Sequence, residues 1–185
     1  MKKRYYVTTI IASLLINMNS VSAEELTRQA IATKAVGQFG QEMRNKLVES
    51  LKKNGPSGAI DICAKDAPII SSRIEHEYGV VIKRTSLKVR NPQNAPDSLE
   101  KELLESLSAL LNSGKTLPSG VVAFPNNQQR FYKTVQMEMA CLQCHGDPKI
   151  INERVRKEIT AVYPDDMAIG YKEGELRGII SITVK

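Results

Sequence analysis

The chain has 185 residues, 26 basic and 20 acidic side chains, a formal net charge of +6, and three cysteines. That length suits one domain with a sizeable core. The basic residues form no clustered face, so nothing predicts nucleic-acid binding.

The amino terminus reads as a secretory signal peptide. Lys2, Lys3 and Arg4 form a positive start, an apolar stretch runs from about Val7 to Ile16, and Val21-Ser22-Ala23 offers a small-x-small cleavage site before Glu24. The apolar run is too short and too poorly flanked for a membrane span, although Tyr5 and Tyr6 could sit at an interface in an uncleaved anchor. No cysteine follows the run, so a lipoprotein anchor has no attachment point. Cleavage after Ala23 places the mature chain, residues 24–185, in the periplasm without a stable membrane anchor. The leader holds three of the 26 basic residues and no acidic one, so the mature balance is only +3.

From Glu24 to about Asn54 the pattern is helical, with Leu26, Ala30, Ala35, Phe39, Met43, Leu47 and Leu51 recurring on one side. Asn54-Gly55-Pro56 is a helix stop. This apolar stripe must pack within the chain, or else pair with a second copy as a homodimer; packing within the chain is preferred. A second helix is expected from about Ser57 to Asp66, with Ala59, Ile60, Cys63 and Ala67 on one face. Pro68 should interrupt it, and a further helical stretch should reach Tyr78, with Gly79 as its C′ cap.

Val80-Val81-Ile82 reads as a strand, and the polar, proline-punctuated segment from Lys83 to Asp97 as a loop. Asp97 to Glu100 has the spacing of a capping box, opening a leucine-rich helix that stops at Asn112-Ser113-Gly114. Strands are expected over Gly120–Pro125 and about Arg130–Glu138, joined through Asn126-Asn127-Gln128. Asp147-Pro148 is expected to open a short helix with Ile150, Ile151, Val155 and Ile159 inward. Two closing strands, about Met167–Tyr171 and Leu176–Val184, complete a single-domain α+β fold: an antiparallel sheet with helices packed on it.

The chemistry concentrates at Cys141-Leu142-Gln143-Cys144-His145. Cys-x-x-Cys-His is the attachment pattern of c-type haem. Two thiols on a tight turn can each form a thioether with a haem vinyl group, and the adjacent imidazole can then ligate iron. Covalent attachment in bacteria follows export, so leader and motif support each other. The alternatives are a zinc half-site, a thioredoxin-like pair and a plain disulfide. Zinc usually wants four ligands, which would require Cys63 and one more histidine to join the pair, and the sequence has no second short-spaced ligand pair. No βαβ unit surrounds Cys141, as a thioredoxin motif would require. If haem c takes Cys141 and Cys144, one haem is bound and Cys63 is left over. A spare thiol beside iron is either a small buried hydrophobe or a second ligand. His76 lies in an acidic, surface-like stretch, Met137 and Met139 lie too close to the motif to cross the haem, and Met167 remains a candidate. Arg84, Lys88 and Arg90 could pair with haem propionates, since guanidinium binds carboxylate bidentately, but on sequence pattern alone a solvated basic loop is the favoured reading.

Several stretches taken together resemble the c-type haem family with a PAS-like fold, found as stand-alone exported cytochromes and as periplasmic sensing halves of bacterial receptors. They are Ala59 to Cys63 with Ala67-Pro68, Arg84 to Pro92 with Asn94 to Asp97, Cys141 to Gly146, and Tyr163 to Tyr171 with Arg177-Gly178. The resemblance implies an axial pair of His145 and Cys63 and a basic loop beside the haem, with Arg84 and Arg90 on the propionates. Three roles follow as expectations. An electron carrier with a redox partner protein comes first, because no output domain or further span follows in this sequence. A redox or diatomic-gas sensor acting through a signalling receptor comes second. A haem enzyme comes last, because no acid–base set accompanies the motif.

Overall fold

The computed structural model describes residues 22–125 and 127–185. The leader up to Val21, and Asn126 of the expected hairpin, lie outside the described residues.

Helix α1 spans Ala23–Asp61, and its first turn is capped by the Ser22 side chain accepting from the Glu25 N–H. Its buried stripe is Ala32, Ala35, Val36 and Phe39, whereas Leu26 and Ala30 face outward. The expected stop appears as a kink rather than an end: Gly55 adopts φ 66°, and Pro56 restarts the helix beyond it. Ile62–Asp66 then forms a wide π turn before α2, Ala67–Tyr78, which has Pro68 in its first turn. Proline cannot follow an uninterrupted α-helix, because its ring meets the carbonyl four residues back; the wide turn absorbs that conflict. Gly79 closes α2 in the left-handed conformation, as expected.

Strand β1, Val80–Thr85, is longer than expected and carries Lys83 and Arg84 into the sheet. These charges survive there because Lys83 Nζ lies 2.7 Å from the buried Glu100 carboxylate and Arg84 reaches the Cys63 carbonyl. Helix α3, Ser98–Asn112, begins with the expected capping box between Asp97 and Glu100. Strands β2 (Val122–Phe124), β3 (Asn127–Gln136) and β4 (Leu176–Val184) complete one antiparallel sheet in the order β1-β4-β3-β2. Short helix α4, Leu142–His145, and helix α5, Glu153–Val162, lie between β3 and β4.

Two expected elements differ. The helix after the cysteine motif starts at Glu153 with Asn152 as its cap, not at Asp147-Pro148. Asp147 caps a local turn instead, and Ile150 is 82% exposed while Ile151, Val155 and Ile159 are buried. Met167–Tyr171 is not a strand. Its backbone bonds go to the Arg loop and the motif: Met167 N–H to Val89, Gly170 N–H to Gly146, and Tyr171 N–H to His145. Extended sequence there satisfies its donors across a loop junction rather than in a ladder.

The central strand β4 divides the core by its period of two. Ile180, Ile182 and Val184 pack with Phe131 against α1 and α2, whereas Ile179 packs with Leu104 and Tyr132 on the α3 side. Near its start Gly178 passes so close to β1 that an added Cβ would strike the Thr85 carbonyl oxygen and lie 2.9 Å from Ser86 Cβ. Gly178→Ala is expected to lower unfolding stability by about 1–3 kcal/mol through overpacking, measured by urea denaturation.

Candidate functional site

The α1/α2 face of the sheet is covered only part of the way along. Past Ile180 a cavity of about 270 Å³ opens. Phe39, Gly40 and Met43 of α1 form one wall, and Val135, Gly178, Ile179 and Ile180 of the sheet another. Cys63 enters from the π turn and His145 from the end of α4. Arg84, Arg90 and Arg177 also line it, and no lining residue is acidic.

The two candidate ligands thus meet in one cavity, although 82 positions separate them in the chain. Cys63 is half-buried because the π turn widens the helix where it passes the cavity. The His145 Nδ1–H donates to the Ala168 carbonyl at 2.7 Å, the tautomer that leaves Nε2 with a lone pair. Burial first, then the Arg90 and Arg177 charges, lower its pKa from 6.5 to about 3. The imidazole is therefore neutral at ordinary pH and available as a metal ligand. Cys141 packs beside Met137, Ala168 and Tyr171, while Cys144 packs beside Ile60, Val155 and Ile159. Burial raises the Cys144 thiol pKa, with Arg90 opposing the shift.

The cations are unequally satisfied. Arg90 pairs with Asp166 at 3.0 Å, yet its Nε is buried without a partner, as is Thr85 Oγ1 beside it on the cavity wall. Among the described residues no carboxylate forms an ion pair with Arg84 or Arg177. Arg177 donates to Ser86 Oγ at 2.8 Å and stacks on Tyr171, and burial holds its pKa below the ordinary guanidinium value. A buried cation left without an anion is costly, so this cavity favours an anionic occupant. Arg177 is the functional residue that site reasoning from the sequence missed. The available signal was the Arg177-Gly178 pair among the stretches that carry the family resemblance.

The remaining candidates lie elsewhere. Lys88 sits 4.7 Å from the Tyr171 ring centre, outside the cavity lining. His76 is exposed on α2, Met137 is buried in another cluster, and Met139 and Met167 are 62% and 59% exposed. Among the described residues no group of three His, Cys, Asp or Glu side chains is placed to hold a metal ion, so the zinc alternative finds no ligand set.

A family model described as Tll0287-like matches residues 12–185. The chain belongs to the Tll0287-like family. This agrees with the resemblance drawn from the arginine loop and the cysteine motif. The crystal structure of the cyanobacterial heme-protein Tll0287 superimposes with a TM-score of 0.65 at 22% identity, covering 88% of this chain and 96% of that one. At that identity the likeness establishes the fold of this Tll0287-like chain. No curated protein matches it.

The neutral His145 has a consequence for stability. Between pH 6.5 and about 3 the unfolded chain binds a proton that the folded one refuses. Lowering the pH through that window therefore favours unfolding by up to about 1.4 kcal/mol per unit through this group. Denaturant titrations of the ligand-free chain at pH 7 and 5 should show this loss, and His145→Gln should remove it.

Proposed function

We propose that this chain is an exported monohaem c-type cytochrome that works in electron transfer. The observation that carries the reading is the meeting of Cys63 and His145 in one cavity with three arginines and no acid. The residues fit haem on three counts. His145 offers Nε2, the walls of Phe39, Met43 and Ile180 suit a flat apolar ring, and Arg84 and Arg177 suit two propionates. The unpartnered Arg90 Nε and Thr85 Oγ1 offer further polar contacts.

When bound, haem supplies an iron that cycles between ferric and ferrous. The Cys141 and Cys144 thiols would hold it by adding S–H across its two vinyl double bonds, which needs no oxidant. His145 through Nε2 and Cys63 through Sγ are the residues that would hold its iron. A Cys63 thiolate there would bring negative charge to the metal and favour the ferric state, giving a low potential. With His145 and Cys63 both committed to holding the iron, outer-sphere transfer to a redox partner protein would suit the site better than catalysis. The leader, residues 1–23, delivers the chain to the periplasm, where attachment takes place; among the described residues no helix is long and apolar enough to cross a membrane.

One observation favours sensing as the second reading. Cys63 sits in a π turn, and such turns recur at functional sites. Release of Cys63 on reduction would open the iron to a diatomic ligand and free the turn to rewind, a change that a receptor could read.

A pyridine haemochrome of c type, and added porphyrin mass on the processed chain, are the expected results for the wild type. Cys63→Ala should raise the reduction potential and change the Soret spectrum markedly. An unchanged spectrum and potential would remove Cys63 from the site. Ready binding of carbon monoxide by the reduced wild type would favour the sensor over the carrier.

A further inference from the structure

The carbonyl that receives the His145 proton belongs to a loop with no ladder of its own, so something else must aim it. Ala168 is fully buried, and its N–H donates to Asp166 Oδ1 at 2.8 Å, a side-chain turn that sets the peptide's orientation. The other carboxylate oxygen, Asp166 Oδ2, lies 3.0 Å from Arg90 Nη2. That same nitrogen donates to the Cys144 carbonyl at 2.5 Å and reaches the Ala168 carbonyl at 3.4 Å. Both side chains are nearly buried, 11% and 9% exposed.

We propose that Asp166 and Arg90 are positioning residues for His145, forming a clamp that aims its imidazole through the Ala168 carbonyl. The chain of contacts joins three segments: the arginine loop, the cysteine turn and the loop after α5. Asp166 fixes where the acceptor points, and Arg90 fixes how far the Cys144-His145 turn stands from it. Partners of this kind, hydrogen-bonded behind a metal-ligating histidine, set ring orientation and ligand basicity. The clamp also divides the labour among the arginines. Asp166 neutralises Arg90, so an anionic ligand gains less from Arg90 than from Arg84 and Arg177, which form no ion pair with a carboxylate among the described residues.

The spectroscopic test rests on the haem reading above, and its outcomes separate the two ideas. In the haem-loaded full chain, the ferric electron paramagnetic resonance spectrum reports the imidazole's orientation. Asp166→Ala should lose the single low-spin species of the wild type and show at least two. Asp166→Asn keeps the turn-forming oxygen but not the charge, and should show the second species in smaller proportion. Leu104→Ala, in the core on the α3 side of the sheet, should lower stability while retaining one species. A wild-type spectrum in Asp166→Ala would overturn the clamp, as would the same splitting in Leu104→Ala. If Asp166→Ala does not fold, a wild-type spectrum in Asp166→Asn overturns it. Should the wild type carry no haem, the proposed function falls, and ring-nitrogen shifts of His145 still test the clamp. They should show the Nδ1–H tautomer in wild type and a mixture in the variant; one tautomer in both would overturn it.

Discussion

Arg84 and Arg177 are drawn into a cavity wall that contains no carboxylate. Everything else at this end of the molecule follows from that imbalance. A guanidinium taken from water needs either an anion or a set of neutral acceptors. Arg177 meets Ser86 Oγ, the Lys88 carbonyl and Tyr171, and among the described residues it forms no ion pair with a carboxylate. Elsewhere the fold supplies counter-charges generously: the buried Glu100 alone is in contact with Lys83 and Arg130 on the other side of the sheet. The contrast separates a cluster whose charges are paired within the fold from one whose arginines lack carboxylate partners among the described residues.

The sheet makes that place by running out of cover. Alternation along β4 hands Ile180, Ile182 and Val184 to the helical layer. Val80 and Ile82 of β1 join that layer, and Arg84, two residues farther on, lies at the cavity. The helices obey a parallel constraint. Pro68 cannot lie inside a continuous helix, and the π turn that precedes it carries Cys63 to the cavity. One strand period and one proline therefore bring a cation and a thiol to the same space.

On its other side the site is assembled from loops. The segment from Tyr163 to Tyr171 bonds to the motif at Gly146 and His145 and to the arginine loop at Val89. Neither loop has a ladder to hold it, so each is held by the other. This mutual support explains why a buried ion pair, Arg90 with Asp166, sits at the junction. It is costly to bury, and its directional bonds pin two loops that nonspecific packing would leave free to slide.

Much of this was legible beforehand because it depends on neighbours in sequence. The capping box at Asp97, the left-handed Gly79, the stripe through Ala35 and Phe39 and the Cys-x-x-Cys-His spacing are local patterns, and local geometry enforces them. The arginine loop and motif together also sufficed to point to the family. The start of the helix at Glu153, the strand character of Lys83 and Arg84 and the loop at Met167–Tyr171 were read differently. For the last two the backbone's hydrogen bonds go to distant partners, β4 for Arg84 and the motif for Tyr171, whereas at Glu153 the neighbouring Asn152 takes the cap that Asp147 was expected to supply. Only the tertiary structure could bring Arg177 to the cavity, join Asp166 to His145 through Ala168, or place Cys63 and His145 on the lining of one cavity. Those choices depend on which segments pack together, and no single stretch of sequence contains both halves of a contact.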